Sequence, residues 1–64
     1  HASGSVLDEI EGIGPVRRKA LLEHFKSVER IRQASREELE AAPGMNARTA
    51  ENVWTYFRIA KPHT

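Results

Sequence analysis

The sequence predicts an all-α domain of five short helices, arranged as two copies of one unit with a linking helix between them. Three observations favour this fold class: apolar residues recur at helical spacing, no segment alternates as a strand would, and the chain matches itself at an offset of 32 residues. The match joins residues 7–25 to residues 39–57 and places glycines and apolar side chains at equivalent positions. A chain of 64 residues without cysteine is expected to form one small domain that lacks disulfides and thiolate metal ligands.

The first copy contains a short helix, a tight turn and a longer helix. Ser5 is a favourable N-cap for the short helix, and glycines at positions 12 and 14 mark the turn. Pro15 fits the first position of the longer helix, where its missing N–H costs nothing, and that helix is predicted to run to about Phe25. The side chains predicted to face the core from this copy are Val6, Leu7, Ile10, Leu21, Leu22 and Phe25.

A linking helix follows, and then the second copy begins. Ser27 is a good N-cap for a helix that extends through Ala34. Ser35 and Glu38 have the spacing of a capping box, which predicts that a fourth helix begins immediately after Ser35. These capping residues therefore fix two more helix starts from the sequence alone.

The second copy ends with the fifth predicted helix. The Pro43-Gly44 pair ends the fourth helix, and Asn46 is the predicted N-cap of the fifth, which Pro62 stops by about Ala60. The inward residues predicted from the linking helix onward are Val28, Ile31, Leu39, Ala50, Val53, Trp54 and Phe57. The resulting boundaries are a linker or cloning remnant at residues 1–4, the domain at residues 5–60 and a tail at residues 61–64.

The two glycine turns are the candidate functional features, because each opens a helix and helix N-termini present unpaired N–H groups to anions. In the first turn the donors are predicted to be the amides of Ile13, Gly14, Val16 and Arg17. The Ile13 side chain is predicted to anchor in the core. Cations at a helix start oppose the helix dipole, so the run Arg17-Arg18-Lys19 indicates a bound phosphate. The second turn repeats the pattern more weakly, with a single cation at Arg48.

The strings IEGIGPVRRKALLEHF and APGMNARTAENVWTYF resemble the paired motifs of tandem helix-hairpin-helix domains. The string SVLDEIEGIGPVRRKALLEHF, followed by SVERIRQASREELEAAPGM, closely resembles the C-terminal domains of the UvrC subunits of bacterial UvrABC excinucleases, over roughly residues 5–60. The resemblance implies a five-helix domain with two helix-hairpin-helix motifs that binds DNA without sequence preference, at single-strand/duplex junctions or bubbles. The nuclease sites of that family lie in other domains, so this domain is expected to be non-catalytic and cytoplasmic, and to meet other excision-repair subunits through the full-length protein.

Carried over by position, the resemblance implies two sets of DNA-binding residues. They are Gly12, Ile13, Gly14, Val16, Arg17, Arg18 and Lys19 in the first hairpin, and Gly44, Met45, Asn46, Ala47 and Arg48 in the second. The sequence departs from the family's pattern at three positions: Val16 stands where a lysine is usual, Asn46 replaces a glycine, and Lys26 ends a helix where glycine is common. The second hairpin is therefore expected to contact DNA less well, or mainly through its backbone.

The remaining residues favour no catalytic function. No nucleophile–base pair and no metal-ligand spacing is present, so no cofactor or metal is expected and His24 is assigned to the surface. No apolar run approaches the length of a membrane span, which predicts a soluble, intracellular chain. Trp54 and Phe57 are assigned to the core, whereas Tyr56 is predicted to point away from their face and is a candidate for stacking on an unpaired base.

The alternative function is a protein-protein dimerisation module, because related tandem domains of structure-specific nucleases pair through their apolar faces. Exposure of Val16, Met45 or Ile59 is the feature that would favour it. The net charge of +1 does not choose between DNA and a protein partner. Weak self-association and DNA binding are compatible with each other.

Overall fold

Four α-helices and one short 3-10 helix form the part of the chain that the structure, a computed structural model, describes, which is residues 6–59. They are the 3-10 helix Val6–Glu9, α1 (Pro15–Phe25), α2 (Val28–Gln33), α3 (Arg36–Ala41) and α4 (Ala47–Ile59). The 3-10 helix and α2 pack against α1, and α3 packs against α4. The predicted all-α fold is confirmed. The predictions for residues 1–4, the Ser5 cap, the end at Ala60 and the tail at residues 61–64 lie outside the described residues.

The segment predicted as the first helix is a 3-10 helix instead of an α-helix. The Leu7 carbonyl accepts from the Ile10 amide at 3.1 Å, and the Ile10 carbonyl accepts from the Ile13 amide at 3.0 Å. Four residues form too few bonds to offset the cost of nucleating an α-helix, so the tighter i to i+3 pairing leads the chain directly into the turn.

The helix starts predicted from capping residues are confirmed. At the start of α2, the Ser27 hydroxyl accepts from the Arg30 amide at 3.2 Å. Before α3, Ser35 and Glu38 form the reciprocal capping box, with bonds of 2.9 and 3.1 Å. Each bond satisfies a helix amide that would otherwise lack an acceptor.

Lys26 ends α1 in a left-handed conformation, with a φ of +82°. Its amide donates to the Leu22 carbonyl at 2.8 Å, as a glycine in this position would. A non-glycine residue in this region costs about 1 kcal/mol, so glycine would be the less strained residue here.

One apolar core serves both copies. Leu7, Leu21, Ile31, Leu39 and Val53 are fully buried, and two pairs of them, Leu7 with Leu39 and Leu21 with Val53, occupy equivalent positions of the repeat. The other buried apolar residues are Ile10, Ile13, Ala34, Ala42 and Ala50. Each copy is too short to bury its apolar face alone, so the copies share a single interior. No helix within residues 6–59 combines the length and apolar character that crossing a bilayer requires.

Candidate nucleic-acid interface

The first turn, defined as residues 12–14, leads from the 3-10 helix into α1. Gly12 has a φ of +88°, a conformation that glycine adopts at no cost. The Ile13 side chain is only 5% exposed, which confirms it as a core anchor. Its amide, predicted to be a free donor, is not free, because it donates to the Ile10 carbonyl at 3.0 Å as part of the 3-10 pairing.

Three amides at the start of α1 have no acceptor among residues 6–59, those of Gly14, Val16 and Arg17. Gly14 is the N-cap and has no side chain to close them, and Pro15 has no N–H. The first bonded amide is that of Arg18, which donates to the Gly14 carbonyl at 2.8 Å. The start of α1 is therefore an open set of donors at the positive end of a helix dipole.

The second turn, defined as residues 44–46, repeats the backbone of the first. Gly44 has a φ of +80°, and the Met45 amide donates to the Ala42 carbonyl at 3.1 Å. These are the equivalents of the Gly12 conformation and of the Ile13 bond. The two turns therefore have the same chain path up to the residue that caps each following helix.

The cap is where the second turn differs. The Asn46 side-chain oxygen accepts from the Thr49 amide at 2.9 Å, and the Thr49 hydroxyl accepts from the Asn46 amide at 2.9 Å. This reciprocal pair confirms Asn46 as the N-cap of α4. Only the amides of Ala47 and Arg48 at this helix start lack an acceptor within the described residues.

The Arg17 side chain joins the two turns. Its Nε donates to the Gly44 carbonyl at 2.9 Å, and a terminal guanidinium nitrogen donates to the Gly12 carbonyl at 3.3 Å. In the opposite direction, the Asn52 side chain on α4 donates to the Glu11 carbonyl at 3.0 Å. Side chains from both long helices therefore bind backbone carbonyls in, or directly before, the turn of the other copy.

Two of the three cations at the start of α1 have partners inside the protein. Arg18 pairs with both oxygens of Asp8 at 2.9 and 3.0 Å, and Arg17 is bound to the turn carbonyls. Intramolecular contacts therefore account for the position of these two cations without a ligand. Lys19 and Arg48 are exposed and have no ion pair or hydrogen bond from their side chains to another residue in the range 6–59.

An exposed apolar side chain lies at the second residue of α1, just after the first turn. Val16 is 82% exposed, and Ile59 at the end of α4 is 78% exposed. Met45 differs, because it is half-buried and packs against the core. Arg48 occupies the position equivalent to Val16, so one turn presents a cation where the other presents an apolar side chain.

Tyr56 is not the exposed ring that the sequence predicts. It is half-buried, and its hydroxyl donates to the Glu9 carboxylate at 3.0 Å. The prediction is wrong because Glu9 of the 3-10 helix binds this hydroxyl and because the ring packs against the core, edge-on to Phe57 with centroids 5.3 Å apart. The hydrogen bond to Glu9 raises the pKa of the Tyr56 phenol, since the proton is held next to a carboxylate.

Trp54 and Phe57 pack against the core, as predicted. The Arg58 guanidinium lies 4.5 Å from the centroid of the Trp54 ring, in cation–π contact. His24 is on the surface, as predicted, with its ring edge-on to Phe25. These aromatic rings contribute to packing, so the candidate DNA-binding groups are those at the two turns and the helix starts that follow them.

Three residues outside the predicted set position the turns: Asp8, Thr49 and Asn52. The spacing of Asn46 and Thr49 is that of a reciprocal cap, so the sequence does contain a signal for Thr49. No local pattern marks Asp8 or Asn52, because their partners lie 10 and 41 residues away along the chain.

Comparison with known proteins places this geometry in a family. The family model described as "SAM-like Helix-hairpin-helix tandem" matches residues 5–54. UvrABC system protein C of Lachnospira eligens is 60% identical over 53 residues, which cover 83% of this chain and 9% of that protein. The same protein of Clostridioides difficile is 52% identical over 54 residues, 84% of this chain and 9% of its own length. That of Methanothermobacter thermautotrophicus is 53% identical over 53 residues, 83% of this chain and 9% of its own length.

The resemblance to the helix-hairpin-helix domain of UvrC is therefore confirmed. The chain spans only about 9% of the length of these relatives. No solved structure matches the chain.

Proposed function

The chain belongs to the SAM-like helix-hairpin-helix tandem family, and on that premise we propose that it is a DNA-binding domain of nucleotide excision repair. It binds the phosphate backbone without sequence preference and favours single-strand/duplex junctions or bubbles. Its relatives carry the name UvrABC system protein C, so its partners are the other subunits of that system, met through the full-length protein. The domain itself carries out no catalytic step.

The observation that carries this proposal is the open start of α1. The amides of Gly14, Val16 and Arg17 have no acceptor among residues 6–59, and Lys19 lies exposed on α1, three residues after Val16. Main-chain donors and a flexible ammonium group bind phosphate oxygens and do not distinguish bases. Binding through this set is therefore independent of sequence.

The second turn supplies a weaker contact of the same kind. It offers the amides of Ala47 and Arg48 and one exposed cation, the Arg48 side chain. A junction presents phosphates from a duplex strand and from an unpaired strand at different spacings. Two unequal turns on one small domain suit such a ligand better than a uniform strand.

The first test is fluorescence anisotropy with a labelled bubble, a perfect duplex and a single strand, each across a salt series. The slope of log affinity against log salt is about −0.9 per neutralised phosphate on duplex and about −0.7 on single strands. We expect the tightest binding to the bubble and a slope that corresponds to about two contacts, one for each of the unpaired cations Lys19 and Arg48. Lys19→Gln and Arg48→Gln should each remove about one contact from the slope, whereas Lys26→Gln, an exposed cation at the other end of α1, should leave it unchanged.

The outcome that contradicts DNA binding is the absence of any signal at low salt, provided that far-UV circular dichroism shows the domain to be folded. In that case the exposed cations are solvated surface groups.

Gly14→Ala tests the amide site directly. Gly14 has an extended backbone with φ of −95°, and a Cβ at this position would meet nothing within 4 Å. The free domain therefore accepts alanine with its helix content intact, and any loss of binding comes from the approach of the ligand. We expect affinity to fall about tenfold, which is about 1.4 kcal/mol. Unchanged binding would exclude the start of α1 as the phosphate site.

Self-association is a second candidate function, favoured by the exposure of Val16 at 82% and Ile59 at 78%. Its test is the molar mass measured by light scattering after size exclusion, at several concentrations and in the salt used for DNA binding. A mass that rises with concentration and returns to that of the monomer in the double variant Val16→Ser, Ile59→Ser supports this function. A constant monomer mass excludes it.

A further inference from the structure

We infer that the Arg17 side chain is a positioning residue that holds the two turns at a fixed separation, and that it is not a phosphate ligand. The inference rests on the proposed DNA-binding function, within which it assigns a role to one side chain. It leaves the Arg17 amide among the open donors at the start of α1.

Arg17 binds the same atom in both copies of the repeat. Gly12 and Gly44 are equivalent residues, 32 positions apart, and both have a left-handed backbone. The Arg17 guanidinium donates to the Gly44 carbonyl at 2.9 Å and to the Gly12 carbonyl at 3.3 Å. A planar guanidinium presents several N–H groups in a rigid arrangement, so one side chain can hold two acceptors at a defined spacing.

The two peptides that Arg17 holds are also fixed at their N–H ends. In the peptide between residues 12 and 13, the N–H donates to the Ile10 carbonyl at 3.0 Å. In the peptide between residues 44 and 45, the N–H donates to the Ala42 carbonyl at 3.1 Å. The open amides of the first turn begin at the next residue, Gly14, and those of the second begin at Ala47, after the capped Asn46 amide. Arg17 therefore connects the two rigid points from which the proposed phosphate donors project.

The equivalent position in the second copy faces the interior of the protein. Thr49 stands there, is only 5% exposed, and its methyl group lies 3.3 Å from where a Cβ on Gly12 would be. Position 17 of the first copy thus corresponds to a site at the seam between the copies. This location agrees with the carbonyl partners of the Arg17 guanidinium.

A fixed separation matters because two linked contacts on one ligand reinforce each other only when their geometry lets both engage. Loss of the Arg17 side chain should therefore weaken binding to DNA that touches both turns. It should not reduce the number of phosphates neutralised, because the guanidinium neutralises none.

The test compares Arg17→Lys, which keeps the charge, with Arg17→Gln, which removes it. Lys19→Gln is the reference for the loss of one phosphate contact. Arg30→Gln is the control for the loss of an exposed cation elsewhere, on α2. The probe is a bubble duplex of about 20 base pairs, which at about 3.4 Å per pair exceeds the 31 Å longest dimension of the domain. We expect both Arg17 variants to lose about fivefold in affinity with an unchanged salt slope. We expect Lys19→Gln to make the negative salt slope shallower by about 0.9. Arg30→Gln should bind as the unmodified domain does.

Two outcomes overturn the inference. In one, Arg17→Lys binds as the unmodified domain does while Arg17→Gln loses slope like Lys19→Gln, which would make Arg17 a phosphate ligand. In the other, both Arg17 variants bind normally, which would leave the side chain without a role.

A measurement without DNA separates this inference from the proposed function. The carbonyl carbon chemical shifts of Gly12 and Gly44, measured by NMR, should both change in Arg17→Gln, with helix content preserved by circular dichroism. Unchanged shifts overturn the inference whatever the DNA result. If the unmodified domain binds no DNA, the proposed function fails and the shifts still report the contact.

Discussion

The two turns share a backbone and differ in what lies after it. Both have a left-handed glycine, an apolar residue that packs inward and a bond from that residue's amide to a carbonyl three residues earlier. In the second turn, the Asn46–Thr49 pair satisfies two amides and leaves those of Ala47 and Arg48 open, whereas the start of α1 has no side-chain cap and leaves three amides open. The two copies thus have the same turn backbone but different side chains at the helix start. The uncapped start of α1 is suited to binding a ligand, and the capped start of α4 is suited to stabilising the helix.

The two helix starts also differ in the stabilisation that a side-chain cap provides. A side-chain cap contributes about 1 kcal/mol to helix stability, and α1 does without one. The open amides at the start of α1 form their full hydrogen bonds only when an anion accepts from them. We therefore expect the first turn to be the less stable of the two in the free domain and, under the proposed function, the more strongly stabilised by DNA.

Substituting the two left-handed glycines should have the largest effect and should distinguish the turns by their surroundings. Gly12→Ala combines about 1 kcal/mol of backbone strain with a contact 3.3 Å from the Thr49 methyl group, so we expect a loss of about 2 kcal/mol in unfolding free energy. Gly44→Ala has the same strain but meets nothing within 4 Å, so we expect about 1 kcal/mol. Urea unfolding followed by circular dichroism measures both. Equal losses would show that the first turn does not pack closely on α4.

Removing the cap of the second turn should have a smaller effect on stability and almost none on binding. Asn46→Ala leaves the Thr49 amide without its acceptor, and we expect a loss of about 1 kcal/mol in unfolding free energy. DNA affinity should change less than about threefold, because the Thr49 amide that the Asn46 side chain caps is not one of the proposed phosphate donors. Asn46→Ser is the matched control, because its hydroxyl keeps an acceptor oxygen and adds no charge. A tenfold loss of affinity in the alanine variant would instead assign a ligand contact to Asn46.

The smallest effect expected is a gain of binding at the first turn. Asp8→Asn weakens an exposed ion pair that is worth about 0.5 kcal/mol, and it frees Arg18 for a phosphate. We expect a rise in DNA affinity of about two- to threefold, with a steeper salt slope. Glu11→Gln removes the same charge nearby without freeing a cation, so it should leave the slope unchanged. If both variants bind equally, the gain comes from net charge alone and not from Arg18.

Local signals in the sequence were sufficient for most of the fold. Pro15, Ser27, Ser35 and Asn46 mark the four α-helix starts, because capping depends on residues within one turn of each other. The first predicted helix became a 3-10 helix because a segment of four residues is decided by packing and by the turn that follows.

The site was less predictable, because its contacts depend on how the copies dock. The Arg17 bond to Gly44 spans 27 residues, and the Tyr56 bond to Glu9 spans 47. Periodicity identifies which residues face inward but not which side chain of one copy meets the other. For that reason the run of three cations indicates a phosphate site from sequence alone, although two of them have intramolecular partners in the structure.

A symmetric homodimer of the first copy could not reproduce this domain. It would place two guanidiniums, one from each subunit, at the same pair of glycine carbonyls, where like charges would repel each other at close range. In the single chain, Thr49 takes the second of those positions and lies buried against Gly12. Two copies within one polypeptide can therefore differ at the seam between them, as Arg17 and Thr49 do, which two identical subunits cannot.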